Sequence, residues 1–133
     1  ILNYNFMTQK SASELVKEAK QDIENLSALQ VQQELSTGIP VLIDIRESEE
    51  LIQNGKIEGS VHAPRGMIEF YADPTLPYHK PEFNKDKRII LQCASGGRSA
   101  LAAQTLKNMG YQNVAHLDGG LKAWNEAGLP ITK

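Results

Sequence analysis

The chain has 133 residues, 41% of them hydrophobic and 23% charged, which suits one globular domain with a real core and leaves no room for a second. A formal net charge of −2, with basic residues scattered rather than clustered, gives no general attraction to nucleic acid or to an anionic membrane. One cysteine cannot close an internal disulfide, and no Cys/His grouping has zinc spacing, so a structural metal is not indicated.

No apolar run approaches the ~18 residues of a membrane span, and Ile1 to Phe6 is too short for the core of a signal peptide. A soluble, cytoplasmic protein is therefore the default expectation. The chain opens on Ile1 rather than methionine, which points to processing or to residues added ahead of Met7 and leaves export through a removed signal open.

Residues 1–10 show no usable periodicity and are expected to be mobile. Ser11 to Glu14 has capping-box spacing, and Leu15, Ala19 and Asp22 or Ile23 form one apolar stripe of a short helix. Asp22 to Leu26 reads as a first strand. A second capping box, Ser27 to Gln30, opens a helix with Ala28, Val31 and Leu35 on one face and Thr37-Gly38 at its end. Pro40 to Ile45 is a β-branched strand of central type, interrupted by the carboxylate of Asp44. A strand-end aspartate commonly binds backbone amides.

Glu47 to Gln53, acidic at its start, reads as a helix stopped by Asn54-Gly55. Lys56 to His62 adds a turn and a short strand. His62 is expected to pack rather than to act as an acid or base. Arg65 follows in a loop after a strand, where a cation either meets an anionic substrate or is simply solvated. Ala72 to Lys87, with Pro74, Pro77 and Pro81, is a long surface connection in which Tyr71, Leu76, Pro77 and Tyr78 are candidates for an apolar pocket wall.

Arg88 to Gln92 has the pattern of a buried parallel strand, and Ser99 to Met109 that of a helix stopped by Gly110. Asn113 to Leu117 reads as the last strand, and Asp118-Gly119-Gly120 turns into a helix over Leu121 to Ala127, with Trp124 expected in the core. Strands alternating with helices define an α/β domain with a central, mostly parallel five-stranded sheet and helices on both faces. In such folds function gathers at the carboxyl ends of the strands.

The lone cysteine, Cys93, sits at such an end. Between strand and helix lies Cys93-Ala94-Ser95-Gly96-Gly97-Arg98, whose adjacent glycines allow the backbone to curl and turn successive N–H groups inward. Those amides, the positive end of the helix dipole and Arg98 all favour a negative sulfur. A free cysteine titrates near ~8.5, and surroundings of this kind bring it to roughly 3.5–7.5, which would supply a nucleophile at neutral pH.

Cys-Ala-Ser-Gly-Gly-Arg resembles the active loop of rhodanese (sulfurtransferase) domains, in which a cysteine, four residues and an arginine ring a cysteine persulfide. Leu117-Asp-Gly-Gly-Leu-Lys-Ala-Trp124 resembles that family's carboxyl-terminal motif and Gly55-Lys-Ile-Glu-Gly-Ser-Val-His62 its amino-terminal one. The resemblance implies a tail and helix over residues 1–24 and a rhodanese-like domain over 25–133. It also implies Cys93 and Arg98 as catalytic residues and Ala94, Ser95, Gly96 and Gly97 as the substrate-binding loop. Asp44 and Arg46, which match the family's Asp-x-Arg, become candidates for supporting that loop together with Arg65.

The expected reaction moves a sulfane sulfur in two steps from a small donor, thiosulfate or a persulfide, to a thiol or cyanide acceptor, or to a protein thiol, with no cofactor. Tyrosine-phosphatase loops place five residues between cysteine and arginine, whereas four stand here. A sulfur-carrier or partner-binding module and a cysteine-based phosphatase or arsenate reductase are the alternatives on the same scaffold. The loop interior is uncharged, unlike that of thiosulfate-preferring two-domain rhodaneses, so thiosulfate itself is expected to be a surrogate donor.

Overall fold

A computed structural model describes residues 9–133; the amino-terminal expectation of mobility falls largely on residues 1–8, which lie outside the described residues. Helix α1 (Ala12–Gln21) begins at the foreseen capping box, with Ser11 Oγ accepting the Glu14 N–H at 3.2 Å and the Ser11 N–H reaching Glu14 Oε1 at 3.4 Å. Strand β1 (Glu24–Leu26) leads to α2 (Ala28–Leu35), capped in the same reciprocal way by Ser27 and Gln30. The order continues with β2 (Val41–Asp44), α3 (Ser48–Asn54) and β3 (Val61–His62). A single turn of tight helix (Arg65–Met67) and α4 (Ile68–Tyr71) precede the long connection to β4 (Ile89–Gln92). Helix α5 (Gly97–Asn108), β5 (Val114–Leu117) and α6 (Gly120–Glu126) complete the chain.

The five strands form one sheet in the order β1-β5-β4-β2-β3, and every neighbouring pair is parallel. Side chains alternate across it. Ile43, Ile45, Ile89 and Leu91 meet Ala102, Ala103 and Leu106 of α5 and Ile68 of α4 on one face. Leu42, Ile90, Ala115 and Leu117 meet Ala28 and Val31 of α2 and Leu121 and Trp124 of α6 on the other. Because both faces are covered, the central strand β4 is apolar at three successive positions, as a parallel strand must be when it has no wet side.

Two local departures from the sequence reading have simple causes. Helix α5 begins at Gly97 rather than Ser99, because Gly96 takes a left-handed φ of 101° and turns the chain into the helix at once. In α1 the buried residue is Ala19, while Leu15 is 43% exposed; the helix lies against α5, where Val16 comes within 3.7 Å of the position a Gly97 side chain would take. Ion pairs between Lys20 and Asp118 and between Lys107 and Asp22 tie α1 and its exit to the rest of the fold.

The connection over residues 72–88 is irregular, as its prolines demand, and is pinned from below. Phe83 is buried, and the Tyr111 hydroxyl donates toward the carbonyls of Ala72 at 2.8 Å and Phe83 at 3.0 Å. Tyr71 faces Phe83, Leu76 is half-buried, and Pro77 and Tyr78 are exposed.

Candidate active site

Strand β4 delivers Cys93 to the carboxyl end of the sheet, where α5 and α6, which follow neighbouring strands, depart on opposite faces. The Cys93 side chain is buried, and two backbone amides point at it: Gly96 N–H at 3.2 Å and Ser99 N–H at 3.3 Å from Sγ. The second amide belongs to the first turn of α5, where N–H groups have no partner within the helix, so the sulfur takes the place of a capping acceptor. Both contacts stabilise negative charge on Sγ. Ser95 at the rim of the loop is exposed, and Ala94 and Gly97 are partly so.

The loop is held open by its neighbours. Gln92 Nε2 donates to the Cys93 carbonyl at 2.8 Å, and the amides of Leu121 and Lys122 donate to the carbonyls of Cys93 and Ala94 at 2.9 and 3.0 Å. The carbonyls are thereby drawn away from the sulfur and the N–H groups are left facing it. This contact requires the glycines of the last turn: a Cβ on Gly120 would lie 2.5 Å from the Cys93 carbonyl oxygen, and one on Gly96 would lie 2.9 Å from Gly119 N.

Arg98 stands on the first turn of α5, but its guanidinium is shared. Nη1 and Nη2 bind the two Glu50 carboxylate oxygens at 2.8 and 2.9 Å. These bonds lower the Glu50 carboxyl to about 2 and raise Arg98 above its ordinary range, with smaller help from the negative charge available at Cys93. The pair is about one-third exposed, so solvent screening holds its direct contribution to stability to ~1 kcal/mol or less.

Asp44 and Arg46 are fully buried and bind each other side by side, Arg46 Nε to Asp44 Oδ1 at 3.0 Å and Nη2 to Oδ2 at 2.7 Å. Arg46 Nη2 also donates to the carbonyl of Gly55, and His62 Nε2 binds the Arg46 carbonyl at 2.6 Å. Neither partner touches residues 94–98 in these contacts. Their reach to the loop is indirect: Arg46 holds the end of α3, and α3 carries Glu50, which holds Arg98. Arg65 pairs with Glu69 at 3.0 Å and comes within 3.4 Å of Thr105 Oγ1 on α5, away from the sulfur.

Three residues around Cys93 escaped sequence reasoning. Ser99 Oγ lies 3.5 Å from Cys93 Sγ and 2.8 Å from His116 Nδ1, and His116 Nε2 lies 2.7 Å from Asn25 Oδ1. These residues come from α5, β5 and β1. A histidine breaking the apolar run of β5 was the available signal, since a polar side chain on a doubly covered strand needs buried partners.

A buried cysteine with two backbone amides aimed at its sulfur, at the carboxyl end of a strand in a parallel sheet, defines an α/β domain that carries a cysteine in a strand-to-helix loop. The chain belongs to the rhodanese-like family, whose domain model matches residues 27–127. A protein of Allochromatium vinosum named a sulfurtransferase is 36% identical over 91 residues, covering 68% of this chain and 77% of its own. Against five further curated relatives the chain spans 40, 47, 63, 57 and 65% of their lengths.

Among solved structures, one from Rhodopseudomonas palustris is described as a protein of unknown function and possible tyrosine phosphatase. It superposes with a TM-score of 0.87 at 41% identity, covering 93% of this chain and 96% of its own. A thiosulfate sulfurtransferase from Pseudomonas aeruginosa superposes with a TM-score of 0.73 at 28% identity, covering 91% of this chain and 22% of its own. Among the described residues no helix is long and apolar enough to cross a membrane.

Proposed function

We propose that this domain is a sulfurtransferase that accepts one sulfane sulfur on Cys93 and passes it to a second thiophile. The observation that carries the reading is the aim of the Gly96 and Ser99 amides at Sγ, in a loop that places four residues between Cys93 and Arg98. Cys93 sulfur attacks the outer sulfur of thiosulfate or a small persulfide; the donor's S–S bond breaks, and sulfite or a thiolate leaves with the electron pair. The Cys93 persulfide anion then lies among preorganised amides at a helix terminus, until cyanide, a small thiol or a protein thiol attacks its outer sulfur. Neither step needs a cofactor. Arg98 draws the anionic donor in, with its charge tempered by Glu50.

Similarity to sulfurtransferases supports this reading, and intact-protein mass spectrometry tests it. Incubation with thiosulfate or a persulfide should add one sulfur atom to the wild-type chain and none to Cys93→Ser; failure of every donor to load the wild type would refute it. The likeness to a structure described as a possible tyrosine phosphatase keeps a second reading in view. In that reading Cys93 attacks phosphorus, and turnover of an aryl phosphate without persulfide loading would establish it. The loop, one residue shorter than a phosphatase loop, weighs against it. Faster discharge to a protein thiol than to small acceptors would identify a sulfur carrier.

A further inference from the structure

Cys93 is 1% exposed, so water at neutral pH is a poor acceptor for its thiol proton when the sulfur attacks. The contacts behind it supply a better one. Asn25 Nδ2 donates to the carbonyls of Lys20 at 2.9 Å and Ile23 at 3.2 Å, which fixes the orientation of its amide and leaves Oδ1 as the atom facing His116. An acceptor there requires the proton of a neutral imidazole to sit on Nε2. The bare Nδ1 then takes the Ser99 hydroxyl proton at 2.8 Å in preference to the Gly96 carbonyl at 3.3 Å, and Ser99 Oγ turns its lone pairs to Cys93 Sγ at 3.5 Å. Each donor in the row from sulfur to Asn25 points the same way.

We propose that Ser99 and His116, oriented by Asn25, form a relay that takes the Cys93 thiol proton inward as the sulfur attacks its donor. The inference rests on the reading of Cys93 as a sulfur-accepting nucleophile. As the new S–S bond forms, the Cys93 S–H bond breaks and its proton passes to Ser99 Oγ, whose own proton passes to His116 Nδ1. The donor's S–S bond breaks and its leaving group departs with the electron pair. The imidazolium proton returns through Ser99 to that leaving group or to the persulfide, so no proton is gained or lost overall. Ser99 touches the reacting sulfur, whereas His116 and Asn25 act through it.

The charged groups near His116 act in opposite directions. Asp118, which favours the imidazolium, and Lys20, which opposes it, bind each other at 2.8 Å. Burial keeps the resting ring neutral, with its affinity for a second proton lowered to about 4, so the bare Nδ1 is free to accept from Ser99. On the far side of the sulfur the charged groups are Arg98 and Glu50, bound to each other. None of these supplies a competing base at Sγ.

Because Cys93 is the chain's only cysteine, its alkylation by iodoacetamide can be followed without ambiguity from about pH 5 to pH 10. Ser99→Ala and His116→Gln should each slow alkylation at pH 7 by about tenfold, and the double variant by no more than the slower single one. All should converge on the wild-type rate near pH 10, where solvent hydroxide removes the proton and the relay is redundant. Unchanged or faster alkylation of Ser99→Ala at pH 7 would overturn the relay, because the hydroxyl would then only be holding the thiol proton in place. Should the variants fold poorly, nitrogen NMR of the wild type decides: Nε2 protonated and Nδ1 bare is expected, and the opposite tautomer refutes the relay. A relay-dependent alkylation profile without persulfide loading would sink the sulfur-transfer reading alone, and loading with an unaffected profile would sink the relay alone.

Discussion

Glu50 grips Arg98 through two hydrogen bonds, one from each guanidinium Nη to its own carboxylate oxygen, so the cation of the cysteine loop arrives already partnered. Glu50→Gln should remove that counter-charge and leave Arg98 to act on Cys93 alone. Alkylation at pH 7 and low salt should accelerate by roughly two- to fivefold, and the gain should shrink as salt screens it. Arg98→Ala should slow the same reaction. An unaltered rate in both variants would show that backbone amides alone set the electrostatics of the sulfur.

The last turn gives a steric test. Gly120 has a φ of 59°, and a Cβ there would lie 2.5 Å from the Cys93 carbonyl oxygen and 2.6 Å from the Ala94 carbonyl. Gly120→Ala should cost about 2 kcal/mol or more in urea unfolding and depress persulfide loading, since it pushes the loop's backbone out of place. Gly38→Ala, also at positive φ but with nothing within 4 Å of the added Cβ, should cost less and leave loading intact.

Acid should weaken the fold in two windows. His116, lowered to about 4 by burial, binds fewer protons folded than unfolded between its ordinary value near 6.5 and about 4. Stability should therefore fall as pH drops through that range, by up to about 3 kcal/mol. Glu50, lowered to about 2, contributes stability that is present above its ordinary 4.5 and lost as pH falls toward about 2. Urea midpoints measured from pH 7 to about pH 4 should show the first loss in the wild type, and His116→Gln should flatten it.

The buried ion pair gives an asymmetric result. Asp44→Asn or Arg46→Met alone leaves one buried group without its partner and should cost about 3–5 kcal/mol, while replacing both with apolar residues of similar volume should cost less. Arg46→Met should also loosen α3 through the lost Gly55 contact, and with it the grip of Glu50 on Arg98, and so speed Cys93 alkylation in the same direction as Glu50→Gln. Asp44→Asn keeps the Gly55 contact and should leave alkylation nearer the wild-type rate. Urea unfolding and alkylation on the same variants check both parts.

The elements that sequence revealed are those whose signals are local. Both capping boxes, the apolar runs of β2 and β4 and the glycine stops of the helices are set by residues within a few positions of one another. Cys93 and its loop were legible for the same reason. What could not be read depends on partners far along the chain: Glu50 meets Arg98, and Asn25 meets His116, only after the sheet has set its strand order. Helix α5 starts two residues before the sequence signal for it, because Gly97 and Arg98 look like loop residues until Gly96 adopts its left-handed turn. The sequence around Ser99 marks only the opening of a helix, and nothing nearby shows that its amide and hydroxyl both face the sulfur.

The carbonyls of Cys93 and Ala94 are fastened by amides that lie beyond Gly120, on a segment synthesised well after the loop itself. It follows that a nascent chain arrested before residue 120 carries every residue of the ring but cannot close it, and its thiol should react like that of an unstructured peptide. Alkylating ribosome-held chains of increasing length would reveal when reactivity appears; a reactive sulfur on a chain lacking that segment would show that the ring closes unaided. On this view the nucleophile is armed only once the segment beyond Gly120 has emerged and folded back on the loop.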